Sequence, residues 1–346
     1  MRQILHLQTL PLAQRVSLKL STWRDVYSTQ QLTELVRESK NEWKSLLGLS
    51  NTSEVKVRVS CYKSKMMHTK GIETAVKRGL NVTYDDDGVE EKGEEDYLFI
   101  LNNKRNKVTL SIDTSGKPLY DRGYRVAGDA GKSPLRPTVA AYMVDKMLER
   151  GRRRVGEEKE VNVLVDPFCG SGTICIEAGL LLRPMMLRKR NFAFQQWPGY
   201  NRGVEGSVKE LLRKRGREQA FKIVGVDRDE GVVEAARRNA ERAGVGDLME
   251  FRQGVISDLT NEWGDKGMVL SNPPWGKRLV EGGREGKDLR NLYGRAGNVL
   301  RKEFGGWEMG MLTERKMWAQ MNAKKTYGEE CFIYGGVKPS FVWGKL

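Results

Sequence analysis

Histidine is almost missing from this chain. His6 and His68 are the two among 346 residues, so a Ser-His-Asp triad would have to draw its base from the first fifth of the sequence. Cysteine is scarce too. Cys61, Cys169, Cys175 and Cys331 form no C-x-x-C pair, which argues against a zinc site of ordinary spacing, and no metal is expected. Four cysteines in a chain of this length make a poor disulfide framework and fit a reducing compartment such as the cytoplasm. No run of about 18 apolar residues occurs, so no membrane-spanning helix and no membrane partner are expected. Acidic residues are outnumbered: 45 Asp and Glu face 60 Lys and Arg, a net charge of +15. RNA or DNA is the partner such a charge favours, the alternative being a basic but inert surface. The first acidic residue is Asp25, after Arg2, Arg15, Lys19 and Arg24. An acid-poor basic start also marks mitochondrial or plastid transit segments, yet Arg15 to Leu20 (RVSLKL) alternates as a half-buried strand does.

The patterns that are present divide the chain in two. Residues 1–115 read as a small α+β unit. Apolar residues recur at helical spacing from Gln30 to Leu46, VKVRVS (55–60) alternates as a strand, Gly71 to Leu80 reads as a helix, and strands at 97–101 and 108–112 flank a polar turn. The acidic stretch Asp85 to Asp96 reads as a solvated loop. Residues 116–137 are rich in Gly, Pro and Ser and read as a linker. From 138 to 346 strands and helices alternate: a helix at 138–148, VNVLVD, a helix at 174–182, KIVGVD, a helix ending at Gly244, then MEFRQ, GMVLSN, WEMGML and FVWGKL. That order predicts an α/β fold with an open, mostly parallel, Rossmann-like sheet. An insertion between its first two strands carries two basic clusters, Arg183, Arg188, Lys189, Arg190 and Arg213, Lys214, Arg215, Arg217. Either could be a solvated helix face, and the pair could meet phosphates.

Three constellations carry chemistry. DPFCGSGT (Asp166 to Thr173) follows a strand and opens a helix. Gly170 and Gly172 allow a sharp turn and close approach of a ligand to the backbone, and the helix start supplies unpaired N–H groups. Neither a complete G-x-G-x-x-G fingerprint nor a Walker A loop is present. Asp227 ends the next strand, where an acid can accept both hydroxyls of a ribose; Asp229 is placed to cap the following helix. SNPPWGKRL (271–279) follows the strand GMVL. The Asn272 side-chain oxygen and the Pro273 carbonyl can grip an exocyclic amine, Pro274 stiffens the loop, and Trp275 can stack on the attached ring. The same residues could equally form a proline-rich turn with its tryptophan in the core.

The order DPFCGSGT, an Asp-ended strand, then NPPW resembles the S-adenosylmethionine-dependent amino-methyltransferases. SIDTSGKPLYDRGYR (111–125), RNFAFQQW (190–197), VLSNPPWGKRL (269–279) and EFGGWEMGML (303–312) resemble the bacterial-type large-subunit rRNA guanine-N2 methyltransferases, and VRVSCYKSKMMHTKGIETAVKRGL (57–80) resembles their THUMP RNA-binding domain. A related tRNA guanine-N2 group shares both domains. The resemblance implies a class I methyltransferase domain after an N-terminally shortened THUMP domain, and no second methyltransferase domain. It implies S-adenosylmethionine bound by Asp166, Phe168, Cys169, Gly170, Ser171, Gly172, Thr173, Asp227, Arg228 and Val255. Catalysis falls to Asn272, Pro273, Pro274 and Trp275, and RNA contact to Lys63, Lys65, Arg188, Lys189 and Arg190. Two departures stand out. The family's usual NPPY is NPPW, and Val255 holds the position where an Asp often meets the adenine amine. An adenine-N6 enzyme, or an RNA-binding protein without activity, are the competing readings.

Overall fold

The computed structural model describes residues 10–82, 97–126, 128–129, 135–153, 162–183, 191–215, 221–275, 285–332 and 338–346. The chain forms two compact units: Met1–Leu119 with Lys189–Leu211, and Tyr120–Arg188 with Leu212–Leu346.

The first unit contains β1 (Ser17–Trp23), α1 (Thr29–Ser39), β2 (Val55–Tyr62), α2 (Thr69–Leu80), β3 (Tyr97–Lys104) and β4 (Lys107–Asp113). Its sheet runs β1-β4-β3-β2. β2 and β3 are parallel, the other pairs antiparallel; a parallel pair needs a crossover, which includes α2. Ser28 caps α1, and His68 Nδ1 caps α2 by accepting from the Gly71 N–H at 3.1 Å. The helical spacing that reaches Leu46 is interrupted after Ser39 by a tight turn at Lys40–Glu42 and resumes for one turn at Lys44–Leu47. Trp43 lies between, buried against Phe99 at a ring separation of 5.9 Å, and seating that indole takes precedence over helical continuity. Residues 191–211 also pack in this unit, although their place in the sequence is within the α/β half. The Phe194 N–H donates to the Thr114 carbonyl and the Gly199 N–H to that of Leu46, and Phe194 and Trp197 are buried.

The second unit contains α3 (Pro137–Arg153), β5 (Val163–Asp166), α4 (Thr173–Leu182), β6 (Lys222–Asp227), α5 (Glu230–Ala243), β7 (Met249–Gln253), β8 (Met268–Ser271), α6 (Glu285–Glu303), β9 (Glu308–Thr313), α7 (Arg315–Gln320), β10 (Lys325–Cys331) and β11 (Ser340–Lys345). Strand order is β10-β11-β9-β8-β5-β6-β7. β9 through β7 are parallel neighbours, and β11 and β10 close the edge antiparallel. Alternation along each strand divides the core between the two faces. Leu164, Ile223, Met268 and Leu270 bury with α3, α4 and α5. Val163, Val165, Val224, Val269 and Met309 bury with α6 and α7. The order of strands reverses between β5 and β8, and a crevice beyond the carboxyl ends is where such sheets bind ligands.

Two features depart from the expected pattern. β10 (KTYGEEC) has no apolar alternation. It is held as an edge strand by β11, with Glu330 bound to Tyr142 and Lys146 and Glu329 bound to Arg315. Residues 120–129, expected within the linker, instead belong to the α/β unit, whose helices they strap. Arg122 pairs with the buried Glu177 on α4 at 3.2 Å, and the Tyr124 hydroxyl donates to the same carboxylate. Asp129 accepts from Arg238 and Arg242 on α5. Two glycines and a lack of apolar repeat hide this strap from a periodicity reading, because its anchors are single side chains reaching distant helices.

Candidate active site

The site is built from the carboxyl ends of β5, β6 and β8. Asp166 closes β5 with its carboxylate 1% exposed. Its Oδ1 accepts from the Ser271 hydroxyl at 2.5 Å and the Phe168 N–H at 3.2 Å. Burial drives its pKa up to about 7, and nearby Asp227 raises it, against the lowering effect of the two donors. The Asp166 side chain therefore ties the glycine loop to the last residue of β8.

The glycine loop is pinned at several points. The Cys169 N–H donates to the Val226 carbonyl and the Gly170 N–H to Asp227 Oδ2, at 3.0 and 2.9 Å. Gly170 and Gly172 have φ of 50° and 82°, where a Cβ is strained. A Cβ on Gly172 would lie 3.0 Å from both Ala236 and Phe251, whereas one on Gly170 would meet nothing within 4 Å. Gly172 thus serves packing, and Gly170 faces open space. Ser171 and Thr173 are buried. Arg125 donates to the Thr173 hydroxyl. Asn239, fully buried on α5, donates to the Ser171 and Asp129 carbonyls at 3.1 and 3.0 Å. Burial pushes the Cys169 and Cys175 thiols well up, so both are inert at neutral pH.

Asp227 ends β6 half-buried, accepting from the Gly170 and Asp229 N–H groups. Asp229 caps α5 by accepting from the Gly231 and Val232 N–H groups. The division of labour expected between these two acids is therefore reproduced in the capping role. Val255, 43% exposed, follows β7, whose end is joined to β6 where the Gly254 N–H donates to the Asp227 carbonyl. Arg228 is exposed, and Phe168 is half-buried against the face that carries α6.

Asn272 and Pro274 are half-buried after β8, and Pro273 is buried. The Trp275 indole N–H donates to Asn272 Oδ1 at 2.8 Å. The Tyr293 hydroxyl on α6 donates to the Pro274 carbonyl at 3.2 Å and lies 2.6 Å from Thr313 Oγ1. Trp275 corrects one expectation. Its ring is 5% exposed and belongs to the apolar core, so it offers no free face to a base in this conformation. The larger indole reaches the core while its N–H points back at Asn272. A carbonyl oxygen accepts twice, so the bond orients the amide and leaves Oδ1 a second acceptor direction.

Among the RNA contacts expected, Lys63 and Lys65 are exposed in the first unit. Arg188, Lys189 and Arg190 lie outside the described residues. Among the described residues no group of three or more His, Cys, Asp or Glu gathers as a metal site would, and no helix is long and apolar enough to cross a membrane. Sequence reasoning missed Asn239, Arg125, Ser271 and Tyr293. Of these only Ser271 and Arg125 lie within stretches named above, SNPPWGKRL and SIDTSGKPLYDRGYR, though neither was given a role there.

Comparison with known proteins bears on this geometry. Residues 122–335 match the model of a family described as RMKL-like, methyltransferase domain. The chain belongs to this family. The family match begins at Arg122, the first buried anchor of the strap. A curated relative, the ribosomal RNA large subunit methyltransferase K/L of Shewanella amazonensis, is 36% identical over 228 residues, which is 64% of this chain and 30% of the relative. The matched region thus spans under a third of that protein's length. A Clostridium difficile 630 protein described as a possible methylase superposes with TM-score 0.77 at 29% identity, covering 99% of this chain and 86% of that one. A Listeria monocytogenes protein described as a predicted N6-adenine-specific DNA methylase gives TM-score 0.77 at 27% identity, with coverage of 100% and 86%.

The cofactor of this family, S-adenosylmethionine, fits the residues present. The open space over Gly170 would accept an extended ligand. The half-buried Asp227 carboxylate stands at the loop's edge, and Val255 offers an apolar face.

Proposed function

We propose that this protein is an S-adenosylmethionine-dependent RNA methyltransferase that forms N2-methylguanosine, with large-subunit rRNA as its substrate. The observation that carries the reading is the Ser271–Asp166 bond, which holds the Asn-Pro-Pro-Trp loop beside the glycine loop. Gly170 and Asp227 bind the cofactor, with Gly172 packing the loop onto Ala236 and Phe251, and the cofactor supplies an electrophilic methyl group. Asn272 Oδ1 and the Pro273 carbonyl accept from the base amine and direct its lone pair outward. Catalysis is then mostly positioning. Bulk water can take the proton released from nitrogen, which agrees with a chain that has two histidines. The target base must be unpaired or flipped out to reach such a loop. The first unit, read as a THUMP-like domain, supplies RNA affinity.

The name of the large-subunit rRNA relative supports this substrate, while the description of the Listeria neighbour favours adenine N6 as a second reading. A tRNA guanine-N2 target fits the same loop. The test is methyl transfer to total RNA from cells lacking the protein, followed by nucleoside analysis. Asn272→Ala should bind cofactor normally while turnover falls by orders of magnitude. Product on adenosine N6 would reject the guanine assignment, product in tRNA would reject rRNA, and full activity of Asn272→Ala would reject the site.

A further inference from the structure

Three loops of the first unit meet at one end of its sheet. They are residues 24–28 after β1, residues 62–68 after β2, and the β3–β4 turn at 104–107. The Val26 N–H donates to the Asn106 carbonyl, and the Arg105 N–H to that of Tyr62. The Lys65 N–H donates to Asn106 Oδ1 at 2.7 Å, and the Asn103 amide to the Met66 carbonyl at 3.1 Å. The cluster is thus a bonded assembly of three turns.

Its composition is unusual for so firmly tied a region. Tyr27, Tyr62 and Met67 are 46%, 50% and 53% exposed, three of the six large apolar side chains left exposed among the described residues. Lys65 Nζ stands 4.7 Å from the Tyr27 ring centre, and Lys63 Nζ stands 5.4 Å from that of Tyr62. Arg24, Lys104, Arg105 and Lys107 are exposed on the same loops, with Asp25 as the one carboxylate. Asp25 is itself engaged, accepting from the Tyr27 hydroxyl at 3.0 Å. Left-handed backbone gathers here as well. Asp25, Lys63, Arg105 and Asn106 have φ of 57°, 47°, 52° and 60°, four of the six left-handed non-glycine residues among the described ones. The other two, Asn81 and Asn322, are asparagines, the residue type that tolerates this conformation best. Arg105 and Asn106 are the central pair of the two-residue β3–β4 hairpin, where positive φ at both residues is ordinary turn geometry, and Lys63 is the residue of the four whose conformation is not accounted for by a hairpin turn or by a tolerant side chain.

We propose that this loop cluster is the docking surface for an unpaired stretch of RNA. Bases stack on the rings of Tyr27 and Tyr62, and the flanking phosphates run along Lys63, Lys65 and Arg105. The inference rests on the reading of the substrate as RNA and adds which face takes it and in what form. Exposed rings interleaved with cations suit splayed bases. They have no use on an A-form duplex, whose bases are stacked on each other and whose deep groove excludes side chains. Anchoring the Tyr27 hydroxyl and main chain, the latter through its N–H to Gln31 Oε1 at 3.0 Å, lowers the entropy lost on stacking.

The test uses the full chain without cofactor. It follows fluorescence anisotropy with a 12-nucleotide oligouridine and with a 12-base-pair RNA duplex across a range of salt. The native chain should bind the single strand more tightly than the duplex. Tyr27→Ala and Tyr62→Ala should each weaken single-strand binding by roughly tenfold, with the salt slope unchanged and the duplex unaffected. Tyr62→Phe should restore binding. Lys63→Gln and Lys65→Gln should each shallow the single-strand salt slope by about 0.7. Unchanged single-strand affinity in the Tyr27→Ala, Tyr62→Ala double variant would overturn the proposal, as would equal losses on strand and duplex. Calorimetry with S-adenosylmethionine on the same variants reports the other unit. A chain that binds cofactor but not RNA through this face refutes this inference alone, and one that binds RNA here but no cofactor refutes the catalytic reading alone.

Discussion

Replacing each loop glycine by alanine should separate folding from binding. Gly172 has φ of 82°, and its added methyl would sit 3.0 Å from the Ala236 Cβ and the Phe251 ring. The left-handed backbone costs an L-residue about 1–2 kcal/mol. Overpacking against a helix and a strand that are both fixed adds roughly 1–3 kcal/mol. Gly172→Ala should therefore lose about 2–5 kcal/mol, a fall of roughly 5–15 °C in Tm for a unit of this size. Gly170 has φ of 50° and open space around its Cβ. Gly170→Ala should lose only about 1–2 kcal/mol, the backbone share, and stay folded. Its methyl would occupy the space assigned to the ligand, and S-adenosylmethionine affinity should drop about tenfold or more, since each 1.4 kcal/mol of lost contact is tenfold. Calorimetric titration of both variants, with thermal unfolding alongside, measures each effect. Native affinity in Gly170→Ala would refute the assignment of the loop. Equal stability of the two variants would refute the packing argument.

Asp227→Ala removes the acceptor of the Gly170 N–H together with the proposed ribose partner; calorimetry should show at least a tenfold loss of cofactor affinity in a folded protein. Trp275→Phe keeps an aromatic ring but deletes the donor to Asn272, a bond worth about 1 kcal/mol. Its kcat should fall about fivefold with RNA affinity unchanged, and weaker RNA binding with intact kcat would return the ring to a stacking role. Asp166 is raised to about 7 in the folded chain, against about 4 when unfolded. The folded state therefore holds the proton more tightly, and the stability this contributes is full below pH 4 and is lost as pH rises through 7. Asp166→Asn should flatten the stability profile across that window by up to about 4 kcal/mol. Denaturant midpoints at a series of pH values decide it, and parallel profiles would reject the buried-acid account.

The sequence made local decisions easy to read and tertiary ones hard. Asp229 before an apolar-periodic stretch and Gly244 after it mark both ends of α5, because caps are chosen by backbone groups within a few residues. VKVRVS and KIVGVD announce their strands in the same way. Glu177, Asn239 and Arg122 gave no such signal. Each matters through one partner many residues away, and nothing in the neighbouring residues encodes that distance. The burial of Trp275 was one of two open outcomes, because an aromatic after a proline pair can turn either way. The Asn272 and Tyr293 contacts that accompany its inward position come from outside the motif's own pattern only in part, since Asn272 is a member of it.

The chain assigns residues 189–211 to the first unit although β5 and α4 of the second are synthesised before them. Folding during translation must then be interleaved. When Leu119 leaves the ribosome, the N-terminal sheet lacks Phe194 and Trp197, and at about 5–20 residues per second it waits several seconds for them. An expression fragment ending near residue 120 would carry that deficit permanently, and one starting there would display those two aromatics to solvent. Dissecting this protein at a single cut should give two poorly soluble halves, whereas grafting 191–211 onto the N-terminal piece should rescue it.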